Sequence, residues 1–129
     1  MLSEQAERNK RNRRAGARWQ AALREGLRLL GFDVEELKLT GREDEGDLVI
    51  RLKDRFLVIE AKAGVMKAAE FVTEAARERR HFAAHRDLPA SQVSSIAVVK
   101  RRGKPWRDAY VLTTVDDYLA LTDREGGGQ

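Results

Sequence analysis

Asp47, Glu60 and Lys62 are the residues of this 129-residue chain whose types and spacing can do chemistry together. They lie in two short runs rich in Val, Ile, Leu and Phe, residues 47–52 and 56–63, separated by Lys53-Asp54-Arg55. Such runs around a short polar link predict a β-hairpin. With the turn centred between Asp54 and Arg55, Leu48 opposes Ala61, Ile50 opposes Ile59 and Leu52 opposes Leu57, a wholly apolar face. Side chains alternate with period two, so the other face holds Lys53 opposite Phe56, Arg51 opposite Val58, Val49 opposite Glu60 and Asp47 opposite Lys62. A slip of one residue would scramble both faces. Asp47, Glu60 and Lys62 therefore converge on one side of the hairpin.

Two carboxylates a few ångströms apart repel and raise each other's pKa unless a cation sits between them. The pair is then a proton-sharing dyad or a divalent-metal site. An adjacent ammonium suits an anionic reacting group: a metal polarises a phosphate, a bound water becomes the nucleophile, and the lysine stabilises developing charge. The same residues on a solvated hairpin would form a cross-strand ion pair. Gly46 lets the backbone bend so that Asp47 starts its strand at the sheet edge.

The elements that must position these groups are legible from periodicity. Over residues 15–30, Trp19, Ala22, Leu23, Leu27 and Leu30 mark an amphipathic helix that Gly31 stops. Residues 34–39 read as a first strand. Residues 40–46 form a polar loop carrying Glu43, Asp44 and Glu45. Between 66 and 85 the residues Ala68, Phe71, Val72, Ala75, Ala76, Phe82 and Ala83 mark a second helix, with Glu78 among its polar positions, and Leu88-Pro89 breaks it. Residues 96–99 and 109–112 read as strands joined by a basic turn over 100–105. Thr114 caps a last short helix, and residues 124–129 form a tail. No internal repeat is present. Helix, three strands, helix, two strands, helix is an α/β order with a mixed sheet.

Length bounds the chain to one domain, and its 42% apolar content can bury a core. Cysteine is absent, which excludes disulfides, thiolate zinc sites and a cysteine nucleophile. No apolar run approaches the roughly 20 residues that cross a bilayer, and the polar start lacks the apolar stretch of a signal peptide. The expectation is a cytoplasmic, nucleic-acid-associated protein without membrane contact. The net charge of +4 has one source. Residues 1–18 hold Arg8, Lys10, Arg11, Arg13, Arg14 and Arg18 against Glu4 and Glu7, while the remaining cations and acids cancel. A basic arm before a neutral body is the footprint of a polyanion binder, each phosphate contact releasing counterions. A solvated helix start has the same composition.

Gly46-Asp47 followed by Glu60-Ala61-Lys62 resembles the core motif of the PD-(D/E)XK nuclease superfamily, with Gly46 in place of its proline. Within that superfamily, most of residues 10–113 resemble the archaeal-type Holliday junction resolvases. The likeness comprises a basic stretch over 10–16, an amphipathic helix ending in Gly31-Phe32, the hairpin motif, a helix, and a closing segment over 96–100 with Trp106 beyond. The resemblance implies a restriction-endonuclease-like core, a mixed central sheet flanked by helices, over residues 15–123. The arm would span 1–14 and the tail 124–129. It also implies an endonuclease that hydrolyses phosphodiesters of four-way DNA junctions, using Mg2+ or Mn2+ held by Asp47, Glu60 and the Ala61 carbonyl. Lys62 would stand near the attacking water, and two symmetric cuts make a homodimer the natural assembly. A nuclease for other branched or duplex DNA, or a DNA-binding module with a degenerate site, are the alternatives.

The family places a glutamate in the first helix where this chain has Gln20, an amide that would orient water or bind metal weakly. Glu45 or Glu74 are the other candidates for that missing carboxylate; Gln20 ranks first. His81 and His85, four apart without a third ligand, read as surface residues. Trp19 reads as core. Trp106 suits base stacking or a subunit contact. Lys67, Arg77, Arg79 and Arg80 read as a solvated helix face or a phosphate track.

Overall fold

A computed structural model describes residues 3–37 and 46–122. Residues 38–39 of the first strand expected over 34–39, residues 40–45 of the polar loop expected over 40–46, and the tail over 124–129 lie outside the described residues. The elements run α1 (Glu4–Leu29), β1 (Asp33–Glu36), β2 (Leu48–Arg51), β3 (Phe56–Lys62), α2 (Ala68–His85), β4 (Val93–Val99), β5 (Tyr110–Leu112) and α3 (Val115–Thr122), with 3-10 turns at Ala90–Gln92 and Trp106–Asp108. The strands form one sheet in chain order. Only the β3–β4 pair is parallel, and α2 makes the crossover that a parallel pair requires. The fold is α/β, a mixed five-stranded sheet with helices on both faces, as expected from the order of elements.

The basic arm is part of α1. Ser3 caps the helix by accepting from the Ala6 N–H at 3.1 Å, so residues 4–14 are its first three turns. At its far end Gly31, with φ of +97°, closes the helix: its N–H donates to Arg28 O and that of Phe32 donates to Leu27 O. This is the paired bonding that satisfies terminal carbonyls.

Trp19 and Leu23 of α1 are buried against Leu48, Ile50, Ile59 and Val98 on one sheet face, and the Trp19 indole donates to Val98 O at 3.1 Å. The opposite face, with Val49, Val58, Val93 and Ala97, packs under Phe71, Phe82 and Ala83 of α2. β4 is buried along its whole length and begins three residues before the predicted strand. Ser94 and Ser95 interrupt its apolar run, yet both are buried, with Ser94 Oγ accepting from Arg55 at 2.9 Å and Ser95 O from Thr113.

One expectation is corrected. Leu48 pairs with Ile59, Ile50 with Leu57 and Arg51 with Phe56, so the hairpin register differs by two residues from that predicted. Leu52 N donates to Arg55 O at 2.8 Å, closing a tight two-residue loop at Lys53-Asp54. A two-residue difference preserves which face each side chain occupies but changes its neighbour. Extended by one position, the ladder sets Asp47 beside Glu60 instead of Lys62. Trp106 is half-buried and packs on α1 at Gly26. A Cβ on that glycine would lie 2.3 Å from the indole.

Candidate active site

Glu60 and Lys62 are both on the α2 face of β3, two residues apart. Asp47, at the start of β2, is fixed beside them because Ala61 N donates to Asp47 Oδ2 at 2.8 Å and Asp47 N donates to Ile59 O at 3.0 Å. Lys62 Nζ stands 3.2 Å from Glu60 Oε2 and 3.1 Å from Glu74 Oε2, and lies 5.0 Å over the Phe71 ring. The structure thus brings Asp47, Glu60 and Lys62 together and adds Glu74 from α2.

Glu78 is the residue that sequence reasoning passed over. It lies on the buried α2 stripe Phe71, Ala75, Glu78, Phe82, at helical spacing, and is only 5% exposed. An acid on an apolar stripe was the available signal. Oxygens of Glu60, Glu74 and Glu78 lie within 4.8 Å of one another, and Glu78 Oε1 is buried without a hydrogen-bond partner among the described residues.

Gly46 makes room for this cluster. Its φ is +105°, a conformation that strains any residue with a side chain. A Cβ there would lie 2.7 Å from Val58 Cγ1 and 3.7 Å from Glu78 Oε1. The backbone conformation and the close approach of Val58 at this position need glycine.

The electrostatics follow from burial. Burial pushes the Asp47 carboxyl from 3.8 up to about 7, with the neighbouring Glu60 charge adding to it. Burial, then the hydrogen bond and charge of Glu78, take Glu60 from 4.5 to about 8. Glu78 rises to about 7, again chiefly by burial, against a lowering hydrogen bond to Glu60. For Lys62 burial acts downward, but the carboxylates of Glu74 and Glu60 outweigh it and hold the ammonium above its ordinary value. The cluster therefore binds protons near neutral pH, and a cation placed among the carboxylates would displace them.

The donor set fits a hard divalent ion. Oxygens around six-coordinate Mg2+ are roughly 3–4 Å apart, given bonds of about 2.1 Å, and carboxylate and backbone oxygens are the ligands such ions prefer. Oxygens of Glu60, Glu74 and Glu78, within 4.8 Å of one another, could hold such an ion, with the Lys62 ammonium paired to Glu60 and Glu74 beside it.

Gln20 is not drawn into this cluster. Its amide donates to Glu36 Oε2 at 3.0 Å, and Arg24 grips the same oxygen at 2.9 Å. Glu36 pairs with Leu48, which lies on the α1 face, whereas Glu60 and Lys62 meet α2. Glu45 lies outside the described residues.

Arg8, Lys10, Arg11, Arg13, Arg14 and Arg18 are all exposed along α1. At 100° per residue, Lys10, Arg11, Arg14 and Arg18 fall within a sector of about 100°, turned away from the buried Trp19–Leu23–Gly26 stripe. A second basic group was read only as a turn. Lys100, Arg101, Arg102 and Lys104 line an open cleft with Gly64 and Tyr110, and Lys100 N donates to Lys62 O at 2.9 Å. His81 and His85 stack on each other, 6.3 Å between ring centroids. Arg79 is tied to Asp117 of α3 at 2.7 Å, while Lys67, Arg77 and Arg80 are exposed.

No protein-family model and no curated protein matches the chain. Among solved structures it is similar to the Holliday junction resolvase Hjc of Archaeoglobus fulgidus, an archaeal hyperthermophile. The TM-score is 0.50 at 17% identity, over 74% of this chain and 72% of that one. The likeness establishes a shared fold.

Proposed function

We propose that this chain is a divalent-metal-dependent endonuclease of the PD-(D/E)XK type that cuts the backbone of four-way DNA junctions as a two-fold homodimer. The observation that carries this reading is the sequestered Asp47–Glu60 pair with the Lys62 ammonium pinned beside it, on a fold shared with a junction resolvase.

Asp47, Glu60 and the Ala61 carbonyl would hold Mg2+ or Mn2+, which would supply Lewis acidity and an activated water. The chain's own residues do the rest. Asp47 is immobilised by the Ala61 N–H, so its carboxylate needs little reorganisation on binding a cation. Lys62 stays charged between Glu60 and Glu74 and is placed to neutralise the oxyanion that develops on a phosphate. The basic face of α1 and the turn over 100–104 hold phosphates on either side of the cleavage point.

The test is cleavage of end-labelled four-way junction, flap and linear duplex with Mg2+ or Mn2+. Paired symmetric cuts in the junction support the proposal. Cutting of flap or linear duplex in preference to the junction assigns a different substrate to the same site. Tight binding to junction DNA without cleavage in either metal reduces the protein to a binding module.

A further inference from the structure

We propose that Glu78 is a ligand of the catalytic cation and supplies, from α2, the carboxylate that the first helix does not provide. The inference rests on the metal-dependent reading above. Gln20, at the first-helix position, is an amide already engaged with Glu36 on the other face of the sheet. Asp47 and Glu60 supply two carboxylates, and a third from α2 would add negative charge that tightens a hard-cation site.

Glu78 is placed to be that third carboxylate. It is 95% buried, one turn beyond Glu74, and its Oε1 has no hydrogen-bond partner among the described residues although no solvent reaches it. Leaving a carboxylate oxygen unsatisfied in a protein interior is costly, and buried acids are found paired or on metals. A Cβ built on Gly46, the residue before Asp47, would lie 3.7 Å from this oxygen, so Glu78 Oε1 reaches the backbone that carries Asp47. Glu74, by contrast, is spent on Lys62 at 3.1 Å and is more open to solvent. Glu74 is thus the positioning residue for the ammonium, and Glu78 the ligand.

The alternative is a protonated core acid whose function is to bond Glu60. Calorimetric titration of Mn2+ into the metal-free full chain separates the two, with wild type, Glu78→Gln and Glu74→Gln compared. Glu78→Gln is expected to weaken Mn2+ binding by at least about tenfold, the lower end of what even outer-shell partners contribute. Glu74→Gln should retain most of the affinity. Melting in EDTA confirms folding, and Glu78→Met, apolar and of similar length, replaces the amide if that variant does not fold. Unchanged Mn2+ affinity in a folded Glu78 variant, or a larger loss in Glu74→Gln, overturns the assignment. No Mn2+ binding by the wild type overturns the metal-dependent reading itself, and this inference with it.

Discussion

Replacing Glu60 by glutamine should stabilise the metal-free protein at alkaline pH and leave it unchanged in acid. Glu60 is 7% exposed and its carboxyl is lifted from 4.5 to about 8. A raised carboxyl pKa means that the folded state binds more protons than the unfolded state between those values, so stability falls as pH rises through that window. The contribution is fully present below about pH 4.5 and gone above about pH 8. At ~1.4 kcal/mol per pH unit, holding Glu60 ionised costs at most roughly 5 kcal/mol. Part of that is relieved when Glu78 or Asp47 takes up a proton instead, since the three titrate together. About 2 kcal/mol should therefore remain, equivalent to about 7 °C in Tm for a domain of this size. Thermal melts in EDTA at pH 4 and pH 8.5 read it directly. Equal differences at the two pH values, or a Glu60→Gln protein less stable than wild type at pH 8.5, would refute the electrostatic account.

Asp47→Asn and Lys62→Ala should each reduce cleavage below detection while junction affinity, measured by gel shift, stays within about threefold, because both groups act at the reacting phosphate and outside the core. Deleting residues 1–14 removes five of the six cations of residues 1–18 and should flatten the slope of log K against log [salt] by up to about 4.5; an unchanged slope would show that this end of the helix does not touch DNA. Gly46→Ala should cost about 3 kcal/mol in urea unfolding, combining a left-handed backbone with a Cβ driven against Val58. Gln20→Ala should leave the metal concentration for half-maximal cleavage unchanged, since its amide serves the α1–β1 contact; a raised requirement would return Gln20 to the site.

Much of this arrangement is written in local pattern. Alternation along residues 48–59 determines which side of the hairpin is apolar, and therefore that Asp47, Glu60 and Lys62 share the other side, because strand parity survives any even slip. Helical periodicity with Gly31 and Leu88-Pro89 determines where α1 and α2 end. What parity leaves open is the neighbour across the strand. The closing contact of Leu52 with Arg55, and the bond from Arg55 to Ser94 on a strand nearly forty residues away, go with the register that sets carboxylate beside carboxylate. Ser94 and Ser95 are polar in sequence yet buried in β4, where Arg55 donates to the Ser94 hydroxyl. Whether Gln20 or Glu78 joins the cluster depends on which helix covers which face of the sheet, a property of the assembled layers that no single segment encodes. Glu78 shows the difference most clearly: its sequence marks only an acid on an apolar stripe, and the packing of α2 over β3 turns it into an oxygen without a partner among the described residues, close to the backbone that carries Asp47.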